Sequence, residues 1–350
     1  MPEIGMVGYF GFSTDNPIIG GQMAKTLGIY DQLCKSYGKE NIPIVDTSNW
    51  KEEKIKLVLQ CWQVARSCKK IIIMPNKNGI KFILPFFATL KDIFHYKLVY
   101  PVVGGWLTGL LANYRYLGRS IKKVDYILPE TEELKHELGR YYMGKIDVMP
   151  IFSIRTPVLP NEVNYDTEPP YKFCTFSRVT PEKGIDNAIE AVSRVNATCL
   201  GVKCTLDVWG PIENGKEEHY QALFQKHQAY VTYKGVLKGD DCLKVLSKYY
   251  CMLFPTFYPG EGFPTSVCES FMAGLPVIAS NWRFNKEIVN VGETGYLFDA
   301  KDIVGLSQCV EEAIANPDKV LSMKKRCLEY SGTFKPENAM KPLAQWLREA

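Results

Sequence analysis

The sequence predicts an α/β protein of two doubly wound domains, and three observations predict it. Short apolar, strand-like runs alternate with stretches of helical spacing along most of the chain, which implies parallel strands with helices on both faces. At 350 residues the chain is long enough for two such domains, and its 46% hydrophobic and 23% charged residues exclude disorder. Residues 156–170 interrupt the alternation with Pro157, Pro160, Pro169 and Pro170 among few apolar neighbours, and read as a linker.

The elements follow in order. Residues 4–10 read as a first strand, and Gly20 and Gly21 precede an amphipathic helical run from Gln22. Further strands are predicted at 42–46, 70–75, 96–103, 126–129 and 146–150, with helices at 51–68, 107–119 and 131–142, completing a first domain of residues 1–155. A second domain, residues 171–335, carries predicted strands at 171–176, 204–209, 231–234, 251–255 and 276–279. Its predicted helices are 184–196, 217–226, 240–248, 264–273, 303–316 and 319–330, and residues 336–350 form a helix-like tail.

Composition excludes several classes. The longest apolar run, 82–90, contains Pro85 and falls short of the roughly 18–20 residues that span a bilayer. Met1-Pro-Glu-Ile enters the first strand without a basic start or cleavage site, so no signal peptide is expected and residence in the cytoplasm follows. The 11 cysteines show no C-x2-C pair, and His95, His136, His219 and His227 lack ligand spacing, so no metal site is expected. Residues 1–150 hold 20 Lys and Arg against 14 Asp and Glu, a balance of +6, whereas the remainder is −2. Either this is ordinary variation or the first domain meets an anionic surface or a phosphate-bearing acceptor. With no recognition motif among the basic residues, nucleic acid is not an expected partner.

The chemistry concentrates in residues 254–280, FPTFYPGEGFPTSVCESFMAGLPVIAS. A strand ends, a loop dense in Gly and Pro follows, and a helix starts with Pro264 placed in its first turn; Gly274 and Pro276 stop it. Glu261 then lies on the loop and Glu269 about two turns inside the helix. A helix start attracts phosphate, and carboxylates beside it accept hydrogen bonds from sugar hydroxyls. The combination suits a sugar attached to a diphosphate.

This segment resembles the Glu-x7-Glu signature of retaining, nucleotide-sugar-dependent glycosyltransferases of the GT-B fold, the family 4 or group 1 glycosyl transferases. The match includes Gly262, Phe263, Pro264, the run Glu269-Ser-Phe-Met-Ala-Gly and the Pro-Val-Ile-Ala-Ser strand. It implies two Rossmann-like domains facing a central cleft, with the C-terminal helix crossing back to the first. It also implies that Glu261 positions donor-sugar hydroxyls and Glu269 the ribose, with Gly262, Phe263, Pro264, Thr265 and Ser266 beside the donor. The phrase Phe176-Ser-Arg-Val-Thr-Pro-Glu-Lys-Gly resembles the family's Gly-Arg-x(n)-Glu-Lys-Gly element, with Ser177 in place of Gly. Arg178 and Lys183 would there stabilise the departing diphosphate, and form with Glu261 the catalytic set. By the same resemblance Gly210 approaches the nucleotide, Val236 and Leu237 clasp its base through backbone groups, and Gly20 and Gly21 approach the donor phosphates.

One departure limits the transfer. Many members carry a histidine at the strand end where this chain has Gly104 and Gly105, so no role for that histidine carries over. Trp106, Leu107, Leu110 and Leu111 follow, either as core or as an apolar acceptor wall. The resemblance implies a retaining, metal-independent hexosyltransferase that moves a sugar from a nucleoside diphosphate to an acceptor hydroxyl. UDP-sugar is expected over GDP-sugar, no cofactor is needed, and the acceptor is a saccharide or lipid-linked species in surface polysaccharide or lipid-linked oligosaccharide assembly. The alternatives are a nucleotide-sugar epimerase of similar fold and a catalytically silent partner subunit. Arg115, Arg119, Lys122 and Lys123, near the run 82–87, raise peripheral docking on the inner face of an anionic membrane; packing of 82–87 in the sheet's core is the competing account.

Overall fold

The computed structural model describes residues 3–14, 20–198, 201–237 and 241–349. The chain divides into one unit of Met1–Ile154, Gly260–Phe263 and Phe334–Ala350, and a second of Arg155–Pro259 and Pro264–Thr333.

The first unit is built on strands β1 (Ile4–Gly8), β2 (Ile44–Asp46), β3 (Lys70–Met74), β4 (Lys97–Pro101), β5 (Tyr126–Leu128) and β6 (Lys145–Ile146). They pair in parallel in the order β2-β1-β3-β4-β5-β6. β1 and β3 are buried along their whole length, as expected of parallel strands covered on both faces. The helix Lys341–Glu349 closes one side of this unit. Leu343, Trp346 and Leu347 share one of its faces and join the core formed by Met6, Ile72, Val99 and Tyr126. Lys70 Nζ donates to Leu347 O at 2.6 Å near the helix's C-terminal end, where a cation complements the dipole.

Several local expectations change here. The run 82–90, given no element from the sequence, lies in the helix Ile80–Phe94, with Pro85 inside it. Ile80, Ile83, Leu84, Phe87 and Ala88 recur at helical spacing and are buried, while Phe82 on another face is 48% exposed. Tyr114 divides the predicted helix 107–119 into Leu107–Asn113 and Arg115–Ile121. Leu107, Leu110 and Leu111 are buried, which makes them core, and Trp106 is half-buried.

The second unit carries β7 (Tyr171–Phe176), β8 (Cys204–Trp209), β9 (Val231–Gly235), β10 (Cys251–Phe254), β11 (Val277–Asn281) and β12 (Gly295–Asp299). The order β12-β11-β10-β7-β8-β9 is that of a six-stranded Rossmann sheet. β12 was not expected from sequence. Tyr296 and Phe298 on it enter the core with Leu306 and Val310 of the helix Ile303–Ala315. The stretch read as a linker packs on this unit, through Val158 N donating to Met272 O and Asn164 N to Ser247 O. The ten cysteines among the described residues are free thiols.

Candidate functional site

In the second sheet the chain winds outward from β7 in one direction and from β10 in the other. A ligand in an open α/β sheet binds beyond the carboxyl ends of the strands at such a switch point. The loops after β7 and β10 are bound together there. Phe257 N donates to Glu182 O at 2.7 Å, and Gly184, at φ +72°, would put a Cβ 2.2 Å from Pro255 O. Only a residue without a side chain takes both that conformation and that approach.

Arg178 and Lys183 meet over one aromatic ring. The Arg178 guanidinium carbon stands 5.5 Å from the Tyr258 centroid and Lys183 Nζ 5.4 Å from it, with Lys183 also 5.3 Å from the Phe254 centroid. Ring faces attract cations, so the Tyr258 ring is a neighbour shared by both charges. Its backbone is fixed in turn by Trp282 Nε1, which donates to Tyr258 O at 2.8 Å.

Gly210 stands against the loop that carries Arg178. At φ +139° a Cβ there would lie 1.7 Å from Ser177 O, while Gly210 N donates to Gly235 O at 2.8 Å and Tyr233 Oη to Gly210 O at 2.9 Å. The ends of β7, β8 and β9 are thereby laced together. Val236 follows β9 and is 45% exposed. The helix of the motif spans Thr265–Met272, and Pro264 is its N-cap at ψ 120°, outside the first turn where the sequence reading placed it. The first N–H groups of a helix have no intrahelical partner, so this start offers donors. Thr265 Oγ1 is buried there with no hydrogen-bond partner among the described residues.

Glu269 is tied to a residue that the sequence reading passed over. Arg155 Nη1 stands 3.0 Å from Glu269 Oε1. Burial pushes the Glu269 carboxyl above its ordinary value, and the Arg155 guanidinium opposes that shift. Arg155 lies at the edge of the proline-rich stretch, where spacing gave no reason to single it out.

The first unit holds Glu261, Gly262 and Phe263. Phe263 N donates to Glu130 Oε2 at 3.2 Å, as does Gly104 N at 3.1 Å. Glu130 Oε1 pairs with Lys25 Nζ at 3.2 Å, and both side chains are buried. A signal for this pair was present in the sequence. Lys25 shares the buried stripe of the helix Gly21–Tyr37 with Ile29 and Leu33, and a charge on an apolar stripe requires a partner. At the helix start Gly20 is extended, φ −177°, and a Cβ there meets nothing within 4 Å. Asp46 holds the loop after β1 by accepting from the amides of Phe10, Phe12 and Ser13 at 2.8–3.0 Å. Burial pushes its carboxyl up, and the donated hydrogen bonds outweigh that and leave it below its ordinary value.

Two six-stranded parallel sheets of this kind are those of the GT-B fold. Residues 162–330 match the model of the family Glycosyl transferases group 1. Glycogen synthase of Mycobacterium tuberculosis is 24% identical over 219 residues, 61% of this chain and 51% of that one. A GDP-mannose-dependent alpha-(1-6)-phosphatidylinositol monomannoside mannosyltransferase of the same organism is 25% identical over 154 residues, 42% of this chain and 39% of that one. The chain thus spans about half the length, or less, of the curated relatives it matches. Among solved structures, Anabaena Alr3699/HepE in complex with UDP superposes with a TM-score of 0.75 at 15% identity, covering 99% of this chain and 100% of that one, a likeness of fold.

Proposed function

We propose that the protein is a retaining glycosyltransferase that moves a sugar from a nucleoside diphosphate to an acceptor hydroxyl. The observation that carries this reading is that Arg178 and Lys183 both stand within 5.5 Å of the Tyr258 ring centroid, beyond β7 and β10, in the unit that holds the Thr265 helix start. Negative charge grows on the diphosphate as the sugar leaves, and preorganised cations and helix amides stabilise that charge more than they stabilise the bound donor. They meet the need without a divalent ion. In this reading Glu269 accepts from the ribose hydroxyls, Glu261 from those of the sugar, and Val236 and Leu237 contact the base. The acceptor attacks the face from which the diphosphate departs, and the diphosphate takes the acceptor proton. Retention follows from that geometry.

UDP-sugar is our preferred donor, in line with the UDP bound by the Anabaena structure. The mannosyltransferase relative is named for a GDP-sugar, which makes the base the first thing to measure. Nucleotide sugars that bind the folded state stabilise it by mass action. In a thermal-shift panel of UDP-, GDP-, ADP- and TDP-sugars, at least one UDP-sugar is expected to raise Tm more than its GDP counterpart does, and turnover with a saccharide acceptor should follow the same ranking. A flat panel would remove the donor reading.

The acceptor is a saccharide or a lipid-linked species, and the exposed face of the first unit favours the lipid. Phe82, Tyr114 and Tyr116 are 48%, 36% and 43% exposed, and Lys81 Nζ stands 5.0 Å from the Tyr114 centroid. Arg115 and Arg119 lie on the adjoining helix. No described helix is long and apolar enough to cross a membrane. Basic residues near an anionic surface contribute about 1 kcal/mol each, enough for reversible attachment. Cosedimentation with anionic vesicles at low salt, lost with neutral vesicles and at high salt, is expected. Equal pelleting with both lipids at low salt sinks the docking idea and leaves the transferase reading standing.

A further inference from the structure

We propose that Glu130, held by Lys25, is a positioning residue that sets the register of the Glu261 loop and with it the recognition of the donor sugar. The inference rests on the reading of Glu261 as a sugar contact.

Glu130 stands just beyond β5 and is 2% exposed; Lys25 is 0% exposed. The three ammonium donors of Lys25 have three acceptors: Glu130 Oε1 at 3.2 Å, Val102 O at 3.1 Å and Met149 O at 3.1 Å. The lysine therefore joins the chain beyond β4, β5 and β6 in one knot. The second oxygen of Glu130 faces the other way and accepts from Gly104 N and Phe263 N. Between Phe263 and Glu261, Gly262 packs so closely that a Cβ on it would lie 2.5 Å from Gly104 Cα and 2.7 Å from Glu130 Oε2. Glu261 is one residue from this contact and is itself 6% exposed.

Stability does not account for such a pair. A buried ion pair loses much of its attraction to desolvation, and apolar residues of the same volume often serve a core as well or better. Burial draws the Lys25 pKa down, and the pairing with Glu130 opposes that shift. What the pair does, and an apolar pair would not, is present a fixed carboxylate oxygen to two amides of different loops. Gly104 brings no side chain here, so its backbone amide and the buried Glu130 carboxylate stand beside the Glu261 loop.

The test compares Glu130→Gln, Lys25→Met/Glu130→Gln and Glu261→Gln with wild type. The probes are UDP and the nucleotide sugar that shifts the wild-type Tm most. Glu130→Gln replaces a charged acceptor by an amide whose NH2 must face either Lys25 or the two backbone donors. Because misplacement of about 1 Å at a site costs on the order of 100-fold, kcat/KM for release of the nucleoside diphosphate is expected to fall about that much. Affinity for UDP alone should stay within about twofold, since the proposed phosphate and ribose contacts lie elsewhere, and a twofold change is well under 1 kcal/mol. Preference among sugar epimers should relax in the same variant. The double variant removes both charges but also the donor to Val102 O and Met149 O, so it should regain Tm in part without regaining activity or epimer preference. Parallel losses of UDP affinity and Tm, or a double variant that recovers activity with its stability, would show a purely structural pair and overturn the inference. Loss in Glu261→Gln with none in Glu130→Gln overturns it as well. No loss in Glu261→Gln overturns the reading beneath it.

Discussion

Arg178→Ala is expected to leave the fold intact and to lower kcat by about 100- to 1,000-fold, the scale on which removal of one preorganised transition-state donor is felt. The fold should survive because Arg178 is exposed and its one described ring contact is with Tyr258. The rate should not, because in the proposed reaction the guanidinium faces charge that is greater in the transition state than in the ground state. Donor KM should therefore change less than kcat. Arg178→Lys keeps the charge and loses the planar fork, so it should recover only part of the rate. Steady-state kinetics beside a melting curve decide the matter. Wild-type kcat in Arg178→Ala, with an unchanged Tm, would withdraw the diphosphate assignment.

Much of this arrangement was legible because it is written in local chemistry. Strand-ending runs, turn formers and helix starts carry their signals within a few residues, and the loops with Arg178, Lys183 and Glu261 were found that way. What stayed hidden depends on partners remote in sequence. Arg155 reaches Glu269 across 114 positions, and Glu130 meets Lys25 across 105. Neither spacing has a local signature, although Lys25 on an apolar stripe signals that some partner is required. The helix Ile80–Phe94 was missed for a different reason. Pro85 argues against a helix interior, but burial of Ile83, Leu84, Phe87 and Ala88 outweighs the propensity cost. β12 escaped because residues 295–299, GYLFD, offer neither a long apolar run nor strict alternation; pairing with β11 from Val277↔Gly295 to Asn281↔Asp299 makes it a strand.

Gly262→Ala is expected to damage activity severely. The atoms its Cβ would meet cannot yield easily: Gly104 Cα at 2.5 Å and Gly104 N at 2.9 Å are backbone, and Glu130 Oε2 at 2.7 Å already accepts two amides. Overpacking of this kind costs about 1–3 kcal/mol, so Tm should fall while the protein still folds. The loop must shift to admit the methyl and Glu261 must shift with it, which should lower kcat/KM by roughly 100-fold even at temperatures where the variant is fully folded. Gly20→Ala is the control. Its backbone is extended and its Cβ meets nothing within 4 Å, so Tm should not change, and any loss of activity there would come from crowding a bound ligand. If Gly262→Ala keeps both wild-type Tm and wild-type turnover, the Glu261 loop has slack, and the close fit between Gly262 and Gly104 has no part in catalysis.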